Sequence, residues 1–351
     1  MNINDRKFLI AFSSSFNLGP VTLSEIMKQG PKKVWDRGLN SSDPKFNKYT
    51  KYIDETRISV DPEKYLKQIE KHGFKVIILG DKCYPNLLKQ INDPPVVLYY
   101  KGCLSTDDSI SIVGSRKCSH YAIQVINKIV PDLVKCGLKT ISGMALGVDS
   151  LVHRVTLENK GKTIAILGSG LDQIYPVTNI HLFNQIAENG AVVSEFGLGT
   201  PPLKYNFPQR NRIIAGLSQG TLVVEANIKS GSLITASCAL DYNRQVYSVP
   251  GDISRTGSEG TNNLIKIGAK PVTIADDILI DYGYISNNSK TYLPRNENEK
   301  KIYDLLSDMP LYIDNICELA KLDIVEASQN LTLMELNGAI ENLGNSTYIR
   351  K

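Results

Sequence analysis

The chain is poor in the residues that build metal and redox centres. It has one tryptophan, four histidines and six cysteines, and the cysteines (Cys83, Cys103, Cys118, Cys136, Cys238, Cys317) include no CxxC pair. Zinc sites need closely spaced soft ligands, so no metal is expected and the thiols read as reduced side chains. Apolar runs long enough to span a bilayer are also missing, and the first residues offer only Phe8–Phe12 as an apolar run. No membrane segment or secretory leader is expected, which points to the cytosol and away from structural disulfides. Nor is there a strong charge of one sign: the balance is +4. Residues 1–90 hold 16 basic and 10 acidic side chains, residues 91–294 hold 18 and 16, and residues 295–351 hold 6 and 10. A weakly basic body with an acidic tail tolerates a polyanion without demonstrating one.

With 42% hydrophobic residues, 351 positions can build two or three domains. Residues 1–84 read as a mainly helical module, with a strand expected to begin at Val76–Leu79. Helical spacing over Lys7–Phe16 is followed by Asn17-Leu18-Gly19-Pro20 and a second amphipathic stretch, Val21–Lys28. Such a turn fits a helix-hairpin-helix as well as a plain packing module. From residue 85 to 285 short apolar runs alternate with helical segments. Strands are expected at Ser109–Val113, Lys139–Ser142, Thr163–Leu167, Ala191–Glu195, Thr221–Glu225 and Gln245–Val249. Their β-branched and aliphatic content suits strands buried on both faces, and the alternation predicts an α/β, Rossmann-like, mostly parallel sheet. Residues 286–297 are polar and read as a linker. Residues 298–351 carry three helical segments and a hairpin-like end, a winged-helix-like module. Its third helix (Asp323–Asn337) contains Asp323, Glu326 and Glu335 but no Lys or Arg. That composition opposes a duplex-reading role.

The chemistry gathers at strand-to-helix junctions. The first strand runs into Gly114-Ser115-Arg116, where a glycine turn and a helix N-terminus offer amides and a dipole to an anion that Arg116 can grip. The second runs into Ser142-Gly143-Met144-Ala145-Leu146-Gly147-Val148-Asp149, which matches neither the GxGxxG nor the GxxxxGK[ST] pattern. Within it, Asp149 and His153 sit at i and i+4 and suit either an acid–base pair or a structural hydrogen bond. The third ends in Gly168-Ser169-Gly170, followed by Leu171-Asp172-Gln173-Ile174-Tyr175-Pro176. Three glycine loops on one sheet edge make a groove for a run of phosphates or for a single dinucleotide. Farther on, Phe207-Pro208-Gln209-Arg210-Asn211-Arg212 opens a helix. Its two arginines are separated by about 200° around the axis, so they need not serve one ligand. Tyr205 and Phe207 offer faces for a base, and Ser230-Gly231-Ser232 precedes another helix. The candidate binding residues are therefore Gly114, Ser115, Arg116, Gly143, Gly147, Gly168, Gly170, Phe207, Arg210, Asn211, Arg212, Ser230, Gly231 and Ser232.

The ordered blocks GSR, SGMALGVDSLVH, GSGLDQIYP, FPQRNRIIAGLS, VVEA..KSGSLITA and VPG......SEGTNNLIKIGA resemble the DprA/Smf family over residues 109–275. The resemblance implies a non-enzymatic protein without cofactor or catalytic residue. It implies binding of single-stranded DNA, loading of the RecA recombinase during natural transformation, and a homodimer formed through the Rossmann-like domain. By motif match it puts Arg116 on a phosphate and Arg210, Asn211 and Arg212 in or beside the groove. One departure stands out: the lysine many relatives carry after the LDxxYP block is missing from Val177–Leu182, which leaves His181 and, elsewhere, Lys204. The competing class is a nucleotide-binding or nucleoside-monophosphate-hydrolysing enzyme of the lysine-decarboxylase-like group, with Glu225 as its candidate acid. Its glycine pair is lost here and the spacing to Glu225 is longer. A third reading is a pure interaction scaffold.

Overall fold

Strand Ser109–Val113 is buried along its whole length, as are its neighbour Gly220–Val223 and, two places away in the same sheet, Thr163–Ile166. Strands closed to water on both faces must have every polar group satisfied internally. The serines on these strands meet that condition. The Ser111 hydroxyl donates to the Ile214 carbonyl at 2.7 Å, and the Ser142 hydroxyl donates to the Ile112 carbonyl at 2.7 Å. The computed structural model describes residues 3–40, 44–284, 294–306 and 310–350. Within them the chain divides into two units, 1–284 and 285–351.

The first unit opens with five helices: α1 (Ile3–Phe12), α2 (Pro20–Gln29), α3 (Pro31–Arg37), α4 (Asn47–Ser59) and α5 (Pro62–Lys71). Then follow β1 (Lys75–Ile78), α6 (Asn86–Lys89), β2 (Val97–Gly102), β3 (Ser109–Val113), α7 (His120–Lys135), β4 (Lys139–Ser142), α8 (Val148–Glu158) and β5 (Thr163–Ile166). The unit continues with α9 (Ile180–Asn189), β6 (Ala191–Ser194), α10 (Asn206–Gly216), β7 (Gly220–Val223), α11 (Ser232–Asp241), β8 (Gln245–Ser248), α12 (Glu259–Lys266), β9 (Lys270–Pro271) and α13 (Asp276–Leu279). Nine strands form one sheet in the order β1-β2-β6-β5-β4-β3-β7-β8-β9. From β6 to β9 every pairing is parallel, while β1–β2 and β2–β6 are antiparallel.

The six expected strands appear within a residue of their predicted limits at nearly every end. Three apolar clusters surround the sheet. One joins α7 and α8 to Ile110, Ile112 and Leu222, and another joins α6, α10 and α11 to Val113, Ile141 and Val223. The third brings Leu9, Phe12, Ile26 and Ile69 against Val97, Ala165 and Val192. The helices expected as a separate 1–84 module therefore share a core with the sheet, and β1 falls where a strand is expected to begin, at Val76–Leu79. Asn17–Pro20 does separate two helices, with Pro20 opening α2.

The second unit contains α14 (Glu297–Leu305), β10 (Leu311–Tyr312), α15 (Ile313–Ala320), α16 (Ile324–Leu336), β11 (Ile340–Asn342) and β12 (Thr347–Arg350), with strand order β10-β12-β11. Three helices and a small antiparallel sheet around Ile302, Ile316, Leu331 and Ile340 make a winged helix. Most of the expected linker lies outside the described residues, and α14 begins at Glu297 behind the Asn296 cap.

Candidate functional site

Strand β3 lies between β4 and β7, and the chain winds away from it in opposite directions. The carboxyl ends of β3 and β7 form a topological switch point, where the diverging loops leave a crevice in an open α/β sheet. A cleft of about 510 Å³ occupies that place. The β3–α7 loop contributes Gly114, Ser115, Arg116 and Lys117, and the β4–α8 segment contributes Ala145 and Asp149. Lys204, Phe207, Arg210 and Asn211 come from the entry to α10, and Asn227, Lys229, Ser230, Gly231 and Ser232 from the β7–α11 loop.

The glycine loops hold one another. Gly147 has φ +82, and a Cβ there would lie 2.5 Å from the Arg116 carbonyl oxygen. The Val148 N–H donates to the Ser115 carbonyl at 3.1 Å. Ser115 closes its own turn, its hydroxyl accepting from the Lys117 N–H at 3.1 Å and donating to the Lys117 carbonyl at 3.0 Å. Arg116 is thereby held outward and exposed, and among the described residues it forms no ion pair. Its guanidinium lies 5.3 Å from the Phe207 ring centroid, within cation–π reach. Across the cleft, α11 starts at Ser232 with no side-chain cap, so the positive end of its dipole abuts the opening.

The arginines of α10 have other work. Arg210 is 3% exposed; its guanidinium donates to the Gly143 carbonyl at 2.7 Å and to the Ile166 carbonyl, tying the ends of β4 and β5 together beneath the cleft. Burial lowers its pKa to about 10 against the opposing pull of Asp149. Arg212 is 6% exposed and is not part of the cleft lining. It pairs with Glu195, and its Nε lies 3.2 Å from the Asp93 carboxylate. Asn211 lies between them in sequence and donates to the Gly231 carbonyl at 3.1 Å, linking α10 to the β7–α11 loop.

The glycine turns after β4 and β5 are covered from inside. A Cβ on Gly143 would meet the Arg210 guanidinium at 2.5 Å, and one on Gly168 would meet the Phe207 ring at 3.0 Å. Gly170 faces the Gly197 carbonyl and Thr200 rather than the cleft. Of the three glycine loops, only the one after β3 contributes its glycine to the lining.

Asp149 and His153 do not bond to each other. The Asp149 carboxylate accepts from the Ala145 N–H at 3.4 Å, and burial raises its pKa against the pull of Arg210. His153 is fully buried; its Nδ1 lies 2.6 Å from the Thr163 hydroxyl, and its Nε2 has no partner among the described residues. Burial lowers the His153 pKa to about 3. Glu225 is buried too: it accepts from the Ser119 N–H at 3.1 Å and pairs with Arg255 at 3.2 Å, bracing the start of α7. The tripeptide Gly161-Lys162-Thr163 enters β5 rather than leaving a strand, with Thr156 where a P-loop would have its first glycine.

Three exposed lysines of the cleft were not in the residue set expected from sequence. Lys117 follows Arg116, Lys204 stands three residues before Phe207, and Lys229 opens the KSGS block. Lys204 was legible only as a replacement for the missing lysine, and the other two carried no signal beyond their neighbours. His181 is exposed on α9 and outside the cleft lining.

The sheet order and its switch-point cleft, with a glycine turn, a helix N-terminus and exposed cations that form no ion pair among the described residues, define a Rossmann-like α/β protein. The chain belongs to the DNA recombination-mediator protein A family, whose model matches residues 75–283; a DprA winged helix domain matches 289–345. It is 41% identical over 232 residues to the DNA processing protein DprA of Streptococcus pneumoniae (66% of this chain, 81% of that one). It is 36% identical over 293 residues to the Smf protein of Synechocystis (80% and 74%). The X-ray structure of the S. pneumoniae protein superposes with a TM-score of 0.68 at 34% identity, covering 80% of this chain and 99% of the other. A structure describing the single-stranded DNA binding mode of DNA processing protein A from Helicobacter pylori superposes at 0.54 with 29% identity, covering 60% and 95%.

Proposed function

We propose that this protein is a non-enzymatic, cytosolic mediator that binds single-stranded DNA in the switch-point cleft and loads a RecA-type recombinase onto it. In this reading the strand is incoming DNA of natural transformation. The carrying observation is the set of four exposed cations, Arg116, Lys117, Lys204 and Lys229, around one open cleft beside the Phe207 ring. Phosphates meet the cations, the Gly114–Ser115 turn and the Ser230–Ser232 helix start, while bases reach the aromatic side. Arg210, Gly143 and Gly168 shape the cleft from beneath, Gly147 locks the β3–α7 turn, Asn211 links α10 to the β7–α11 loop, Arg212 fastens α10, and Gly170 faces away from the cleft. The H. pylori relative, whose structure is described in terms of its single-stranded DNA binding mode, and the family's recombination-mediator description support this reading.

A homodimer through the Rossmann-like domain and a recombinase contact near Leu264–Tyr282 belong to the same proposal. Exposed Ile267, Ile274 and Ile280 around edge strand β9 support them. The hydrolase reading is disfavoured because Glu225 is engaged by Ser119 and Arg255. In the winged helix, Glu326 and Glu335 are exposed on α16. They favour a protein-contact or structural role over duplex reading. A gel shift comparing single-stranded with duplex DNA across a salt series tests the proposal. Preferential, salt-sensitive binding of the single strand is expected, and equal or absent binding at low salt sinks it.

A further inference from the structure

Several tyrosines inside the first unit have tasks for their hydroxyls. Tyr84, Tyr121 and Tyr282 donate to the carbonyls of Pro95, Pro250 and Ser109 at 2.7, 2.6 and 3.0 Å, and Tyr247 donates to Asp281 at 3.0 Å. Tyr175 has none. The residue is 47% exposed, and its hydroxyl makes no hydrogen bond among the described residues. It stands at the carboxyl end of β5, on the sheet edge that carries the cleft, with its centroid 5.7 Å from that of Phe207 and the planes at 58°.

Phe207 is crowded. Arg116 and Arg210 lie 5.3 and 5.8 Å from its centroid, and Gly168 lies against its edge. The freer ring of the pair is therefore Tyr175. The two neighbouring loops expose apolar side chains, Leu146 after β4 and Val177 and Ile180 after β5, alongside polar Gln173, Thr178 and His181. The two loops are pinned together. Buried Asn179 donates to the Met144 carbonyl at 3.0 Å and to the Ser150 hydroxyl at 2.7 Å. A cation near two pinned loops that present one open aromatic face suits a nucleotide whose phosphate and base need different surroundings. Stacking tolerates any base because each has a π-face.

We propose that Tyr175 is a base-stacking platform on which the single strand rests as it leaves the cleft over the β4 and β5 loops. The inference rests on the single-stranded-DNA reading above. It adds a contact beyond Phe207 and fixes the side of the cleft on which the strand exits.

The test is fluorescence anisotropy with two labelled 20-nucleotide probes, oligothymidylate and an abasic strand with the same phosphates, on the full chain. Tyr175→Ala should weaken thymidylate binding on the order of tenfold and leave abasic binding at the wild-type level. Tyr175→Phe and Tyr175→Trp should keep thymidylate affinity, since the hydroxyl has no partner to lose. Tyr175→Leu keeps an apolar cover over Phe207 but has no π-face, so it should behave like the alanine variant with an unchanged melting temperature. Equal losses on both probes, or wild-type affinity for thymidylate in the alanine and leucine variants, overturn the platform while single-strand binding stands. A wild-type protein that binds neither probe overturns both readings.

Discussion

The Arg210 guanidinium donates to the Gly143 carbonyl at 2.7 Å and occupies the space a Cβ on that glycine would need. An arginine that reads from sequence as a ligand contact is thus the floor of the cleft, joining two strand ends. Removing it leaves the carbonyls of Gly143 and Ile166 without that donor and Asp149 without its buried counter-charge. Arg210→Ala should therefore destabilise the first unit by about 3–5 kcal/mol, the usual cost of breaking a buried charged network. A denaturant titration measures it. An unchanged midpoint would mean that Arg210 is held in place by nothing and is free to serve a ligand.

Arg116 should behave in the opposite way. It is exposed, fixed by the Ser115 turn and unpaired, so Arg116→Ala should leave the melting curve alone. Single-strand affinity should fall alike for all sequences, because phosphate contacts carry no sequence information. The slope of log K against log salt should shrink by about 0.7, the value for one phosphate contact on a single strand. A filter-binding salt series for wild type and variant reads both, and an unaltered slope would remove Arg116 from the phosphates. Lys204→Ala should repeat the effect if Lys204 replaces the lysine missing after the LDxxYP block.

Gly147 gives a test of the loop lock. With φ at +82 and only 2.5 Å between a Cβ placed there and the Arg116 carbonyl oxygen, the position has no room for a side chain. Gly147→Ala must push the β3–α7 turn away, moving Arg116 itself. Affinity for single strands should fall at least as far as in Arg116→Ala, accompanied by a loss of stability of roughly 1–3 kcal/mol from the strained backbone. Binding at wild-type strength would show that the turn's position is irrelevant.

What could be read in the sequence follows from where the physics is local. The central strands announce themselves because burial on both faces demands unbroken apolar or β-branched runs, as in Ser109–Val113. Strand β2 was not expected. Its pairing with β1 and β6 is antiparallel, and buried Tyr99 shares hydrogen bonds with Ser13, just after α1, and Tyr65 of α5, both distant in sequence. The site was legible in its residue types and its sheet edge, but not in its orientations. Helical geometry says that Arg210 and Arg212 point apart; only tertiary packing decides that Gly143 and Glu195 receive them. The exposed Lys117 and Lys229 sit in loops whose facing is set by the same packing, so spacing alone could not select them.

His153 makes stability depend on acid. Burial holds its pKa down at about 3, whereas an unfolded histidine titrates near 6.5. Below that unfolded value the denatured chain takes up a proton that the native state refuses. The group's contribution is therefore fully present above pH 6.5 and drains away as pH falls toward 3. At pH 5 the deficit should be about 2 kcal/mol, from 1.36 kcal/mol for each unit below the unfolded value. His153→Asn retains an amide able to meet the Thr163 hydroxyl but has no proton to gain. Urea midpoints measured from pH 7 to pH 4 should fall less steeply for this variant than for wild type. Parallel profiles would mean that the imidazole is protonated in the native protein, with its unpartnered Nε2 charged rather than silent.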